Sequence, residues 1–366
     1  MNFPGAAYEV DTGSARYPGY VGWGILDTLG ERMRALGLQG TVHVIADAAV
    51  AKLYRSQVET ALNKASFGVG TFTFPSGEQE KTLATAEKAY AWLASRRAER
   101  RDVIVALGGG VAGDVAGFVA ATYLRGMAVV QVPTTLLAMV DSSLGGKTGV
   151  DLPVGKNLIG AFHQPRMVLA DTQTLTTLPA RELTSGWAEL IKHALIMDRG
   201  LLDYIEEHAQ SLRQLDQVAT VEAVSRSASI KARVVSEDPL ETTGLRSLLN
   251  YGHTTGHALE TALGYGVLLH GEAIAIGMTT AASISRAIGM LSAKELEQQD
   301  ELLRAFGLPL SAPRVSVDKV KAAMTLDKKV AGKRINWVLL EHLGAAKTRN
   351  DIPDEVIDTA LRTVIG

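Results

Sequence analysis

The stretch Val103-Ile-Val-Ala-Leu-Gly108-Gly109-Gly110-Val-Ala-Gly113-Asp114 restricts this chain more than any other, because a strand-like run breaks into Gly-x-Gly-x-x-Gly and then into a helical pattern. Glycines at such a junction let backbone amides approach an anion, and the helix N-terminus favours its charge. The flanking sequence agrees. Short β-branched runs at 41–45, 70–74, 103–107 and 128–133 alternate with helical spacing at 49–63, 83–97 and 111–124. Strand and helix alternating at that interval form a parallel sheet covered on both faces. Ligands of such sheets bind beyond the carboxyl ends of the strands. A dinucleotide in a non-standard pose is the expected ligand, since the fingerprint sits on the third strand and Gln131 and Pro133 stand where a ribose-binding acid belongs. Asp47, after the first strand, is available for the ribose. A glycine-rich turn without a ligand is the plainer alternative.

Further on, Pro133-Thr134-Thr135, Asp141-Ser-Ser-Leu-Gly145-Gly146-Lys147-Thr148 and Gly155-Lys156-Asn157 gather hydroxyls, paired glycines and two lysines. That mixture suits a polyanion. The apolar residues at 136–140 and 158–162 are expected to hold it at a buried edge. From 181 to 306 the pattern is helical, broken at Gly200, Pro239 and Gly264; 309–313 reads as a linker, 335–340 as a strand and 353–364 as a closing helix. Three of the eight histidines, His253, His257 and His270, cluster in this half. On a helix His253 and His257 lie one turn apart with Glu260 a turn further, and the turn at 264–266 brings His270 back. Imidazoles and carboxylates without thiols suit a divalent metal, zinc by preference. Two partly buried histidines bonded to backbone carbonyls are the alternative. Arg246 and Asn250, four residues apart, are expected to share a helix face with each other and roughly with His253 and His257.

Length and charge bound the remaining classes. At 366 residues the chain accommodates two domains. A formal net charge of -2 provides no global field for nucleic acid or an anionic membrane. The absence of cysteine excludes disulfides and fits a reducing compartment. No signal-peptide pattern and no membrane-spanning apolar run is evident, so a cytoplasmic protein is expected.

Taken in order, these segments resemble 3-dehydroquinate synthase, a member of the sugar-phosphate cyclases. The likeness is carried by Gly108-Gly-Gly-x-x-Gly-Asp-x-x-Gly117-Phe118, Tyr123-x-Arg125-Gly and Pro133-Thr-Thr-Leu-Leu-Ala-x-Val-Asp-Ser-Ser-x-Gly-Gly-Lys147. It continues in Gly155-Lys-Asn-Leu-Ile-Gly160, Thr177-Leu-Pro-x-Arg-Glu182, Gly186-x-Ala-Glu189-x-Ile-Lys192 and Leu249-Asn-Tyr-Gly-His-Thr-x-Gly-His257. Together they cover roughly 76–329. The resemblance implies an α/β N-terminal domain with a parallel, Rossmann-like sheet that binds NAD (1–180), and a mainly α-helical C-terminal domain that binds metal and substrate (181–366). It also implies an active site between them.

Residue roles follow from the same resemblance. The divalent metal, zinc by preference with cobalt possible, falls to Glu189, His253 and His270, and His257 turns towards substrate phosphate. Lys147, Lys192, Asp141 and His257 match catalytic positions; Asn157, Lys231, Arg246, Asn250, Lys328 and Lys329 match substrate contacts. Arg125 matches an arginine that reaches the neighbouring subunit's site, which implies a homodimer. For NAD the matches are Asp47, Glu78, Lys81, Gly109, Gly110, Asp114, Thr134, Thr135, Asp141, Lys147, Lys156, Thr177, Leu178 and Glu182. Two departures stand out. Thr174 replaces an aromatic residue near the nucleotide, and the segment 238–246 is one residue longer than usual, which puts Glu241 out of register.

The implied reaction takes a seven-carbon keto acid phosphate, 3-deoxy-D-arabino-heptulosonate 7-phosphate, to 3-dehydroquinate and phosphate in the shikimate pathway to the aromatic amino acids. Transient oxidation by NAD, β-elimination of phosphate, re-reduction and an aldol closure leave the cofactor unconsumed. Sister cyclases forming an amino-dehydroquinate, an inosose or a valiolone are alternatives. A metal-dependent NAD alcohol dehydrogenase is a more distant one. Lys231, Arg246 and Asn250 match positions facing the substrate carboxylate, which favours the acidic substrate.

Overall fold

A computed structural model describes residues 4–264, 266–326 and 335–365. The chain divides into two compact units, Met1–Leu178 with Thr220–Glu237, and Pro179–Ala219 with Asp238–Gly366. The first carries strands β1 (Tyr8–Asp11), β2 (Arg16–Gly22), β3 (Thr41–Asp47), β4 (Gly68–Phe74), β5 (Val103–Gly108), β6 (Ala128–Pro133), β7 (Lys147–Leu152), β8 (Gly155–Phe162) and β9 (Met167–Asp171). Seven of them form one sheet in the order β1-β2-β9-β6-β5-β3-β4. It is parallel except at the β1–β2 edge.

The side chains of β5 explain its place inside the sheet. All six residues are buried. Val103, Val105 and Leu107 join one core with Val42, Val44 and Val130, while Ile104 and Ala106 join the opposite core with Val115 and Val119 of the helix Gly110–Thr122. Burying a valine, leucine or isoleucine side chain stabilises by about 1.5–3 kcal/mol, so a strand covered on both faces selects an unbroken apolar run. β3 pairs with β4 on one side and β5 on the other. The direction of strand addition therefore reverses between β3 and β5, and the crevice at their carboxyl ends is where such sheets take ligands.

The sequence reading of β3 to β6 matches the structure; β1, β2 and β9 were not visible in it. β7 and β8 form an antiparallel hairpin of their own. Half of the expected apolar edge is found: Leu136, Met139 and Val140 are fully buried. The other half is corrected, because Leu158 is 61% and Phe162 56% exposed. Among the described residues β8 has only β7 as a strand partner, and alternating side chains of such a strand point away from the layer beneath.

The helix Gln217–Glu237 enters the first unit from Thr220 onwards. Ala228, Ala232 and Val235 pack with Val10, Tyr17 and Val168. A helical pattern specifies an apolar face without naming the core that receives it, so a single boundary at 180/181 leaves this helix on the other side.

Among the described residues the second unit is mainly helical, with one hairpin, β10 (Trp337–His342) and β11 (Ala345–Arg349). Two contacts set the spacing of its helices. A Cβ on Gly271, in the helix His270–Ala287, would stand 1.9 Å from the Ser185 carbonyl oxygen of the helix Ala180–Met197. A Cβ on Gly277 would stand 1.9 Å from the carbonyl oxygen of Gly252, the N-cap of the helix His253–Leu263. Only glycine allows these approaches. Gly252 also has φ of 80°, the left-handed conformation. It separates a 3₁₀ segment, Arg246–Asn250, from the helix that follows. The expectation that Arg246 and Asn250 share a helix face with His253 and His257 is corrected on that ground. Among the described residues, no helix is long and apolar enough to cross a membrane.

Candidate active site

At the crevice of the first unit, Gly108 ends β5 with φ of 152°, and Gly109 caps the helix Gly110–Thr122. A side chain on Gly108 would press on Ala112 at 2.6 Å, and one on Gly109 on Thr135 at 2.9 Å. Gly108 is buried and Gly109 and Gly110 are half-buried, and without side chains their backbone can come close to an anion. Asp47 caps the neighbouring helix: its Oδ1 accepts from Ala49 N and Val50 N, each at 3.0 Å, and from the Ser76 hydroxyl at 2.7 Å. Its Oδ2 lies on the Gly108 side, 3.0 Å from where a Cβ would be. Thr134 is buried, and its Oγ1 has no hydrogen-bond partner among the described residues. A buried hydroxyl without a partner beside a bare glycine loop fits a polar ligand in this crevice. Gln131 fills the place of the missing acid, its amide donating to Gly113 O at 3.2 Å.

A second group joins expected cofactor and substrate residues. Lys81 Nζ lies 2.5 Å from Asp114 Oδ2 and donates to Asn157 Oδ1 at 2.6 Å. Burial pushes the Asp114 carboxyl up to about 6, against the pull of Lys81. Asn157 adopts a left-handed φ of 57°, and its amide donates to Asp151 at 2.7 Å. Lys156 lies 3.4 Å from Glu78. Lys147 is exposed at the start of β7. Asp141 sits in a wide π-helical turn, Ala138–Ser142, and accepts Lys231 Nζ at 2.5 Å, with its carbonyl accepting the same ammonium at 2.7 Å. Arg125 is exposed and, like Leu124, left-handed, with φ of 64° and 50°. Thr174 is buried, and its carbonyl accepts from Tyr54 OH at 3.4 Å. Tyr54 OH also lies 2.5 Å from the Thr177 hydroxyl. Leu178 is half-buried at the end of this unit.

The second unit gathers the metal-type residues. Glu189 and Lys192, on the helix Ala180–Met197, are buried, and Lys192 Nζ rests against Glu189 Oε2. Glu189 Oε1 is 3.4 Å from both His253 Nε2 and His270 Nε2. Neither carboxylate oxygen has a hydrogen bond of standard geometry among the described residues. Burial works to raise this carboxyl, but Lys192 first, then the histidines, hold it well below the usual range. Burial and Lys192 hold His253 well below its ordinary value. Burial also acts to lower His270, yet Glu189 and Glu260 override it and push it up to about 10. Tetrahedral zinc with ligands at 2.0–2.1 Å has ligand–ligand edges of about 3.4 Å. The Glu189–His253 and Glu189–His270 separations match that edge, so these residues fit a metal. His253, His257 and His270 also place nitrogens within 4.8 Å of one another, although His257 is exposed. Glu182 is exposed in the first turn of its helix.

The segment at 238–246 folds around one carboxylate. Asp238 is buried and accepts from the backbone amides of Thr242 at 2.8 Å, Thr243 at 3.1 Å and Arg246 at 3.1 Å. Burial acts to raise its carboxyl, and the amides more than offset this, holding it at about 2. Glu241 takes a left-handed φ of 59°, and its Oε1 lies 3.1 Å from Arg246 Nε. Arg246 is buried and also donates to Pro239 O at 3.1 Å, while Asn250 is exposed. Ser76, Tyr54, Asp151 and Asp238 contact the candidate residues Asp47, Thr177, Asn157 and Arg246 and were not singled out from the sequence; Asp238, opening a loop just after a helix, carried a legible signal. Lys328 and Lys329 lie outside the described residues.

Residues 71–185 match the family model of the 3-dehydroquinate synthase N-terminal region, and residues 186–330 that of the C-terminal region. A 3-dehydroquinate synthase of Pseudomonas fluorescens (strain SBW25) is 46% identical over 355 residues, covering 96% of each chain. Among solved structures, a 2-deoxy-scyllo-inosose synthase complexed with carbaglucose-6-phosphate, NAD+ and Co2+ is 29% identical with a TM-score of 0.87, covering 98% of this chain and 99% of that one. A 2-epi-5-epi-valiolone synthase from Streptomyces hygroscopicus subsp. jinggangensis 5008, with NAD+ and Zn2+ bound, is 28% identical with a TM-score of 0.86, covering 95% and 96%. Two family models in tandem, 46% identity over nearly the full length and the same architecture agree, and the chain belongs to the 3-dehydroquinate synthase family.

Proposed function

We propose that this protein converts 3-deoxy-D-arabino-heptulosonate 7-phosphate to 3-dehydroquinate and inorganic phosphate, as a carbon–oxygen lyase. The observation that carries the chemistry is the buried Glu189 carboxylate, faced by two imidazoles and flanked by the buried Lys192. An ionised carboxylate removed from water needs cations or a metal around it. We assign the metal to Glu189, His253 and His270, zinc by preference and cobalt next, in keeping with the ions in the two cyclase structures. Burial supports this set over the three-histidine one, since Glu189 is fully buried and His257 exposed. When bound, such an ion supplies Lewis acidity to substrate oxygens. NAD, which we assign to the β3–β5 crevice, supplies a reversible hydride acceptor.

This chain's own residues bind and orient. Gly109 and Gly110 present backbone at the helix start, with Asp47, Thr134 and Thr135 around them and Glu78, Lys81, Asp114, Lys156, Thr177, Leu178 and Glu182 completing the nucleotide contacts. Lys147, Lys192, Asn157, His257, Lys328 and Lys329 are assigned to the phosphate and the reacting hydroxyls, where fixed cations stabilise charge as the phosphate departs. Lys231, Arg246 and Asn250 are assigned to the carboxylate end, with Asp141 orienting Lys231. Arg125, exposed on a left-handed turn, is assigned to the site of a second copy in a homodimer working in the cytoplasm.

With a catalytic amount of NAD, the protein should release phosphate over many turnovers without accumulating reduced cofactor. A colorimetric phosphate assay run beside cofactor absorbance reads both quantities. Reduced cofactor appearing in proportion to substrate consumed would indicate a dehydrogenase, and an absence of phosphate release would leave only a binding module.

A further inference from the structure

We infer that Glu260 is a positioning residue for His270, holding the ring so that Nε2 faces the metal shell. The inference rests on the assignment of Glu189, His253 and His270 as ligands. Glu260 lies on the helix that begins at His253, is 9% exposed, and places Oε2 3.5 Å from His270 Nδ1. The other ring nitrogen, Nε2, is 3.4 Å from Glu189 Oε1. His270 is therefore held between two carboxylates, one at each nitrogen. An ionised carboxylate only accepts hydrogen bonds, so the proton on a neutral His270 belongs on Nδ1, towards Glu260. The lone pair is then left on Nε2, beside Glu189.

His253 follows the same scheme with a different acceptor. Its Nδ1 is 3.1 Å from Tyr251 O, and its Nε2 is 3.4 Å from the same Glu189 oxygen. Both rings thus turn Nε2 to one point, one set by backbone and the other by a side chain. Close packing makes the second arrangement reachable. A Cβ on Gly256 would stand 2.7 Å from Ile274 Cδ1 and 3.1 Å from Ala273 O, so the helix bearing Glu260 lies tightly along the helix that His270 begins. A carboxylate behind a ligating imidazole fixes its tautomer and raises its basicity.

The test is a metal titration of the full chain, stripped of metal and competed against a chromophoric chelator, first with Zn2+ and then with Co2+. Glu260→Ala should weaken binding by about 10–100-fold. Glu260→Gln, which keeps an acceptor oxygen but loses the charge, should lose less. The visible spectrum of bound Co2+ should change in Glu260→Ala, a readout that a residue merely joining two helices would not move. Thermal melting of the stripped proteins checks folding, and the near-isosteric glutamine variant carries the test if the alanine variant does not fold. His253→Ala is the control for the ligand assignment. Unchanged metal affinity in both Glu260 variants, alongside a large loss in His253→Ala, overturns the positioning role and leaves the ligand set standing. Unchanged affinity in His253→Ala overturns the ligand set, and this inference with it.

Discussion

His253→Ala should lose more than about 100-fold in metal affinity, beyond the cost typical of residues that only support a ligand, and turnover should fall close to background. The side chain removed places Nε2 3.4 Å from Glu189 Oε1. His257→Ala separates the two possible shells. Its ring lies 5.2 Å from that of His253, centre to centre, but it is exposed. The assigned shell predicts that His257→Ala retains its metal and loses catalysis, whereas a three-histidine shell predicts that it loses both. Metal analysis after gel filtration, read against turnover, distinguishes these results. Full metal content with unimpaired turnover in His253→Ala would remove the shell altogether.

Arg246→Ala should lower catalytic efficiency on the acidic substrate by about 10²–10⁴-fold, the range that follows from losing two charge-assisted hydrogen bonds. It should affect sedoheptulose 7-phosphate, which bears a neutral hydroxymethyl end, far less. Arg246 is buried, its amide is tied to Asp238 at 3.1 Å, and its guanidinium is held by Pro239 O and Glu241. A buried cation whose backbone is so fixed is prepared to receive an anion, and charge-assisted hydrogen bonds are worth roughly 1.5–3 kcal/mol each. Glu241, 43% exposed, is the group that an arriving carboxylate has to compete with. In the unmodified protein the acidic substrate should be strongly preferred. Equal efficiency on the two substrates, or an equal loss on both in Arg246→Ala, would take the carboxylate away from this residue.

What was legible in the sequence follows from what repeats locally. β3 to β6 announce themselves as apolar runs, and the glycine fingerprint marks one side of the crevice. His253, His257 and Glu260 fall on one helix at the expected spacing. Glu189 was reached only through the resemblance, because its partners lie on helices distant in the chain and meet it through close contacts at Gly271 and Gly277. No periodicity encodes such a contact. The two strands of the β7–β8 hairpin were not legible, since glycines and lysines interrupt them. The assumed continuous helix from Arg246 to His257 failed at one residue, Gly252, whose left-handed backbone restarts the helix. Glu241 lies 3.1 Å from Arg246 and has a left-handed backbone, a conformation that counting residues does not reveal.

The most direct test of the account is the identity of the product. The protein is incubated with 3-deoxy-D-arabino-heptulosonate 7-phosphate, NAD and zinc, and the mixture is examined by mass spectrometry and NMR. The account predicts one carbocyclic acid, 3-dehydroquinate, with one phosphate per molecule formed and the NAD recovered oxidised. An oxidised, uncyclised keto acid that still carries its phosphate would contradict it.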